Sequence, residues 1–275
     1  MLKDIFKENF WKIIATYSIT FLEFTAFSLM PYVIGLAIDD LISGKKDYLF
    51  IYAALLFGAL IIGTARRMFD TRVFCRIYFN KATQVIGTLR KSNLDSKRII
   101  SRYGLVGFYS DFFEYTLPNI FNVIIGIVIS LVMILYIEGY LIVFIIPAVI
   151  LEIISHKYFS KIIQAKEYEM QNLREEISHD LADNKDCTGH LEEQLNVIVK
   201  KSDLESYSWA VADSISCIIE ITCLLLITSS NLTLGEITSV LMYTNRVFEK
   251  AHLSYHYFIS KILLEMSDDL LGNPK

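Results

Sequence analysis

Six long apolar runs, separated by charged stretches, constrain this chain more than any other feature. Most of them approach the roughly 20 apolar residues that a helix needs to cross the hydrocarbon core of a bilayer. Of the 275 residues, 53% are hydrophobic and only 20% are charged, a balance that is rare in a soluble domain. The pattern predicts an all-α membrane protein with a single transmembrane domain over residues 1–275. The runs occupy residues 13–38, 49–65, 117–137, 140–158, 212–230 and 236–259.

The distribution of lysine and arginine predicts how these runs are oriented. Of the 26 Lys and Arg residues, only Lys45 and Lys46 lie between runs one and two. The others precede run one, lie within run six or after it, or lie from the end of run two to run three and from the end of run four to run five. Cytoplasmic loops carry the excess of basic residues. We therefore expect both termini and both long connections in the cytoplasm, and the protein in the inner (plasma) membrane of a bacterium.

The two long inner connections are predicted to be helices that extend beyond the bilayer. Apolar residues recur at helical spacing in residues 66–93 and again in residues 157–181. Polar residues and glycines cluster at residues 101–107 and 183–189, which predicts a short turn within each connection. The predicted helices lie near residues 10–42, 47–95, 106–137, 139–183, 191–230 and 234–265.

Three short patterns carry a resemblance to a known family. Residues 31–39 read PYVIGLAID, residues 111–118 read DFFEYTLP, and residues 234–237 read LGEI. Together with the spacing of the six runs, they resemble the transmembrane region of ABC exporters over about residues 10–265. The chain departs from that family before the second pattern. It has only Ser101-Arg102 where exporters usually have Gly-x-Leu-x-Ser-Arg.

The resemblance implies an architecture and a mechanism. In ABC exporters two such regions form one pathway, and helices 4 and 5 cross to the partner. The resemblance thus implies a domain-swapped dimer, either a homodimer or a heterodimer with a similar membrane subunit. It also implies that residues 97–104 and 183–190 dock onto an ATPase and transmit its closure as a rigid-body movement. The candidate coupling residues are Arg98, Ser101, Arg102, Asp186 and His190.

The sequence contains no P-loop, the G-x-x-x-x-G-K-[ST] segment whose backbone amides cradle phosphate. The exporter ATPase domain normally follows helix 6, and few residues follow the predicted helix here. We therefore expect a separately encoded ATPase subunit and no enzymatic activity in this chain.

No cofactor is predicted. No nucleic-acid motif is present either, and Arg66 and its basic neighbours just after run two are expected to contact lipid headgroups.

Glu23 lies near the middle of run one, Glu152 lies in run four, and Glu220 lies near the middle of run five. Ionisable groups in lipid are costly and often functional. These glutamates are therefore candidates for binding substrate or protons in a water-filled cavity. The alternative is that they lie at lateral portals or pair with polar neighbours such as Thr20 or Ser28.

Histidines provide a second set of candidates. His252 and His256 are four residues apart and share one face of a helix, which allows a metal site. His179, Asp183, Cys187 and His190 would align only if one helix continued through residues 183–189. For both sets the competing interpretation is an ordinary polar face near the inner surface of the membrane.

Three functions are compatible with these features. The favoured one is the membrane subunit of an ABC-type transporter, energised by a separate ATPase. The first alternative is an ATPase-free transporter driven by an ion gradient through the intramembrane glutamates, as in peptide-uptake proteins that resemble this chain. The second alternative is a receptor or regulatory membrane protein that does not transport.

Overall fold

The computed structural model describes residues 6–91 and 111–272, with side chains described except at residues 88–91, 175 and 254–272. The described residues form six long helices and no strand, so the predicted all-α fold is confirmed. The helices are α1 (Phe10–Ile42), α2 (Asp47–Lys91), α3 (Leu117–Glu138), α4 (Ile142–Ala182), α5 (Thr188–Ile227) and α6 (Leu234–Gly272).

Four continuous helical segments of the described chain are long and apolar enough to cross a membrane. One of them covers 71 residues and contains both α3 and α4, which are joined by a 3-10 turn at Gly139–Leu141. α6 is not among the four, and its first half carries Glu236, Arg246, Glu249 and Lys250. Membrane crossing by six helices stays a prediction. The four segments are Phe10–Ile42, Asp47–Gly87, Phe112–Ala182 and Thr188–Ile227.

Several helix ends differ from the predicted ones. α5 begins at Thr188 rather than near residue 191, and α3 begins at Leu117 after a π-helical turn at Phe112–Thr116. The predicted inner turn at residues 101–107 and the predicted start of the third helix near residue 106 lie outside the described residues.

The last turns of α1 and the first turn of α6 cross at very close range. A Cβ atom on Gly35 or on Gly235 would overlap the backbone of the other glycine, so only glycine allows this approach. Asp39 Oδ1 accepts a hydrogen bond of 2.9 Å from the Gly235 N–H, and Asp39 Oδ2 accepts one of 2.6 Å from the Thr233 hydroxyl. The first N–H groups of a helix have no partner within the helix. The Asp39 carboxylate therefore caps α6 from a different helix.

The largest apolar core joins the last four helices. It includes Ile134 of α3, Ile145 of α4, Cys223 of α5 and Tyr243 of α6, all fully buried. α6 contacts each of α1, α3, α4 and α5 and is the central helix of the bundle. Large apolar side chains on the outer faces remain exposed, as expected for surfaces that face lipid; examples are Leu22, Ile61, Tyr136, Val143 and Leu225.

α4 and α5 form a long antiparallel pair. They contain 41 and 40 residues, which corresponds to about 60 Å each, or twice the thickness of the hydrocarbon core. Their charged halves are held together by a buried cluster of Met170, Leu173 and Val197. An ion pair of 2.8 Å between Lys201 Nζ and Glu167 Oε2 adds to that contact. The two helices therefore remain packed against each other beyond the apolar segments.

Candidate functional site

The far end of the α4–α5 pair is a tightly hydrogen-bonded turn at residues 183–187. Asn184 adopts a left-handed backbone conformation, with φ of 51°. The Lys185 N–H donates to the Asp180 carbonyl at 2.9 Å, and the Asn184 N–H donates to the Leu181 carbonyl at 3.3 Å. These are the two hydrogen bonds of a Schellman motif, with asparagine at the position usually taken by glycine. The end of α4 is thus capped by the turn that follows it.

Two of the predicted coupling residues stabilise the start of α5. Asp186 Oδ1 accepts hydrogen bonds from the Thr188 N–H at 3.0 Å and from the Thr188 hydroxyl at 2.5 Å. These bonds favour the charged carboxylate and hold the pKa of Asp186 below its usual value. His190 lies 3.4 Å from both the Glu176 and the Asp180 carboxylates of α4. The turn is therefore an ordered, charged protrusion at the end of the α4–α5 pair.

The structure does not describe the remaining coupling candidates, and it separates the members of the histidine set that spans residues 179–190. Arg98, Ser101 and Arg102 lie outside the described residues. His179 lies 3.6 Å from Asp183 within α4, whereas Cys187 and His190 follow the turn and His190 folds back against α4. The chain reverses direction within this set, so its members do not share one helix face.

A cavity of about 600 Å³ lies between α1, α5 and α6. Glu220 of α5 lines it and accepts a hydrogen bond of 3.0 Å from Asn245 Nδ2 of α6. Arg246 and Glu249 add one positive and one negative charge to walls that are otherwise apolar. We call this cavity the groove. Its lining is Pro31, Glu220, Leu224, Leu241, Met242, Asn245, Arg246 and Glu249.

Arg246 is held in the groove by a hydrogen bond to a backbone carbonyl that Pro31 leaves unpaired. Proline has no N–H, so Pro31 inside α1 leaves the carbonyl four residues earlier, that of Phe27, without its helical partner. Arg246 Nη1 donates a hydrogen bond of 2.6 Å to that carbonyl. A charged side chain of α6 thus satisfies a backbone group that the apolar surroundings would otherwise leave unpaired.

Glu23 lies outside the groove, in a buried ionic cluster between α1 and α2. The Glu23 carboxylate pairs with Arg66 Nε, and Arg66 Nη1 lies 2.7 Å from Asp70 Oδ2. All three residues are at most 9% exposed, and the guanidinium also lies 5.6 Å from the centre of the Phe24 ring. The interpretation of Arg66 as a headgroup contact is wrong, because its side chain is buried and pairs with two carboxylates.

Glu152 meets two histidines that come from different helices. On α4 itself, His156 Nε2 lies 3.6 Å from Glu152 Oε1. The ring of His252 on α6 contacts the His156 ring edge-on, with 5.0 Å between ring centres. His156 was not among the candidates predicted from the sequence, although its spacing of four residues from Glu152 places both on one helix face. His252 was a candidate, and the side chain of His256 lies outside the described residues.

These features define a helical membrane protein with a polar groove between α1, α5 and α6 and a capped turn at the end of the α4–α5 pair. A family model for the ABC transporter transmembrane region matches residues 2–235. The chain therefore belongs to the ABC transporter transmembrane region family, as the resemblance implied, and it is a multi-pass membrane subunit of the transporter type. Among curated proteins, none matches this chain.

Proposed function

We propose that this chain and a second membrane subunit of the same kind form the substrate pathway of an ABC-type transporter, and that a separate polypeptide hydrolyses ATP for it. The observation that carries the proposal is the continuity of α5. This one helix carries Thr188 at the capped turn and Glu220 in the groove, about 50 Å apart along its axis. A displacement of the turn is therefore delivered directly to the groove wall.

The α4–α5 pair has the stiffness that such a lever requires. The Lys201–Glu167 ion pair and the Met170, Leu173 and Val197 cluster fix the two helices to each other. Packed helices move as rigid bodies rather than bending continuously. Docking of the turn into an ATPase would thus swing both helices together and alter the width of the groove.

The groove fits one half of a shared pathway. Its charged and amide groups, Glu220, Asn245, Arg246 and Glu249, project among leucine, methionine and proline side chains. Such a surface suits a substrate with both polar and apolar parts. Membrane regions of this family generally pair with a nucleotide-binding ATPase and with other membrane subunits. The second subunit would complete the pathway, in the plasma membrane with both termini in the cytoplasm.

Co-purification under native conditions tests the ATPase partnership. The wild-type chain is expected to bring down an ATPase subunit, and Asp186→Lys is expected to lose it, because the charge at the tip of the lever is reversed. The matched control is Asp203→Lys, an exposed position on the same helix, about 25 Å from the turn. The proposal fails if no ATPase accompanies the wild type and uptake into vesicles follows a pH gradient without ATP.

Transport by variants of the groove tests the pathway itself. Glu220→Gln removes the charge that Asn245 holds in place, and we expect it to change transport while the ATPase partner is retained. Asp203→Asn, the same chemical change at an exposed site, is the control. Equal transport by both variants would assign the pathway to a different surface.

A further inference from the structure

Outside the groove and the turn, the described residues contain one buried cluster of metal-ligating side chains. It consists of Glu152 and His156 on α4 and His252 on α6. We propose that these three residues bind a divalent transition-metal ion of the Zn²⁺ class, which fastens α4 to α6. The inference is independent of the proposed transport function.

The ligand atoms are close to the geometry that such an ion needs. One atom from each residue lies within 4.8 Å of the other two. Tetrahedral zinc, with bonds of about 2.1 Å, holds its ligand atoms about 3.4 Å apart. His156 Nε2 and Glu152 Oε1 are already 3.6 Å apart. Bringing all three atoms to that spacing would require a movement of the partly exposed His252 side chain, and three protein ligands leave a fourth position open.

An unsatisfied buried atom gives independent support for a cation. Glu152 is 1% exposed, and its Oε2 atom has no hydrogen-bond partner among the described residues. A buried carboxylate oxygen without a partner carries a desolvation cost. Asp213 on α5 also acts electrostatically on Glu152 and adds negative charge near the cluster. A bound cation would offset both effects.

The surroundings of His156 resemble the supporting shell of a metal ligand. Ser208 of α5 is fully buried, and its Oγ lies 3.2 Å from His156 Nδ1. This contact orients the ring so that the other nitrogen, Nε2, faces Glu152. Metal-bound histidines characteristically use their second nitrogen in this way. The ring of Trp209 on α5 lies 5.8 Å from that of His252, between ring centres.

The chemistry of the donors selects the class of ion. Mg²⁺ and Ca²⁺ prefer oxygen ligands throughout, whereas two imidazoles and one carboxylate suit zinc and its neighbours. Because its ligands come from both α4 and α6, the ion would also link these two helices. α4 ends at the capped turn, and on α6 His252 lies just after Glu249 of the groove. The metal would therefore tie the lever to the groove wall.

Zn²⁺ binding by the purified full-length chain tests the proposal. The protein carries a histidine-free affinity tag, is stripped with a chelator, and is titrated with Zn²⁺ against a chromophoric competitor. We expect one Zn²⁺ per wild-type chain and no stoichiometric binding by Glu152→Gln or His252→Ala. Ser208→Ala, which removes only the supporting contact, should weaken binding by about 10- to 100-fold.

A matched control places the ion at this cluster. The double variant His179→Ala/His190→Ala removes two exposed histidines at the lever tip and should still bind one Zn²⁺. Absence of binding by the wild type overturns the proposal, as does loss of binding in this double variant. If Glu152→Gln or His252→Ala does not fold, the wild-type stoichiometry and the double variant decide the question between them.

Discussion

Arg246 and Phe27 are joined by a 2.6 Å hydrogen bond from the guanidinium of α6 to a backbone carbonyl of α1. That carbonyl is available because Pro31, four residues later, has no N–H. One helix therefore depends on the side chain of another to satisfy its own backbone. The contact also fixes a positive charge at the wall of the groove.

We expect Arg246→Gln to lower the free energy of unfolding by about 1.5–3 kcal/mol, the usual contribution of a hydrogen bond to a charged group. In a Pro31→Ala background the loss should be smaller, because the substitution returns an N–H to the Phe27 carbonyl. Denaturant unfolding in detergent measures both values. Arg76→Gln, an exposed arginine on α2, is the control. An equal loss in the two backgrounds would contradict the explanation.

The buried ionic cluster gives a second prediction. Arg66→Gln leaves the carboxylates of Glu23 and Asp70 buried without their cation. We expect the free energy of unfolding to fall by about 3–5 kcal/mol, as when one partner of a buried ion pair is removed. The adjacent exposed Arg67 provides the control, since Arg67→Gln should change stability by no more than about 0.5 kcal/mol.

A double variant tests whether pairing with Arg66 explains the burial of Glu23. Glu23→Gln/Arg66→Gln removes one charge of each sign and should be more stable than Arg66→Gln alone. The midpoint of thermal unfolding ranks the two proteins. If the double variant is the less stable one, the pairing with Arg66 does not explain why Glu23 is buried.

The close crossing of α1 and α6 gives a third prediction. Gly35→Ala and Gly235→Ala each place a methyl group against the backbone of the other helix. We expect a loss of about 1–3 kcal/mol, the usual cost of overpacking. Gly58→Ala is the matched control, since no atom outside the adjacent backbone of its own helix lies within 4 Å of the added methyl group. That substitution should be neutral or stabilise α2 by up to about 1 kcal/mol.

The turn gives a prediction for pH dependence. The hydrogen bonds from Thr188 lower the pKa of Asp186 in the folded protein, so the charged carboxylate stabilises the first turn of α5. This stabilisation is fully present above the unfolded pKa of about 4. It is lost as pH falls through the lower folded value. Thr188→Ala should move the loss to higher pH.

Hydrogen exchange at the start of α5, corrected for the intrinsic rate at each pH, measures that stabilisation. Protection should fall on acidification in the wild type and fall earlier in Thr188→Ala. Asp186→Asn, which cannot ionise, should show no such step. A step of the same size in Asp186→Asn would assign the pH dependence to another group.

Local sequence patterns were sufficient to predict the helices and the turn between α4 and α5. Run length and helical spacing depend on neighbouring residues, and the polar cluster at residues 183–189 predicted a break that the structure places at residues 183–187. The end of the break was harder to predict, because the Asp186–Thr188 hydrogen bonds start α5 earlier than the apolar pattern does. The family resemblance could also be read from short patterns, two of which meet in space as the crossing of Gly35 and Gly235.

The sequence by itself determined that this chain is all-helical and suited to a membrane, because length and periodicity of apolar runs are local properties, and its short patterns carried the resemblance to the ABC transporter family. Only the tertiary structure decided which polar groups meet. Asp39 caps a helix that begins almost 200 residues later, Glu23 finds Arg66, and His252 finds His156. Such pairings depend on the rotation and depth of each helix against its neighbours, which the spacing within one helix does not specify. That is why the sequence could identify Glu23, Glu152 and Glu220 as unusual but could not assign their surroundings. Glu23 pairs with Arg66, Glu152 lies beside two histidines, and Glu220 lines the groove.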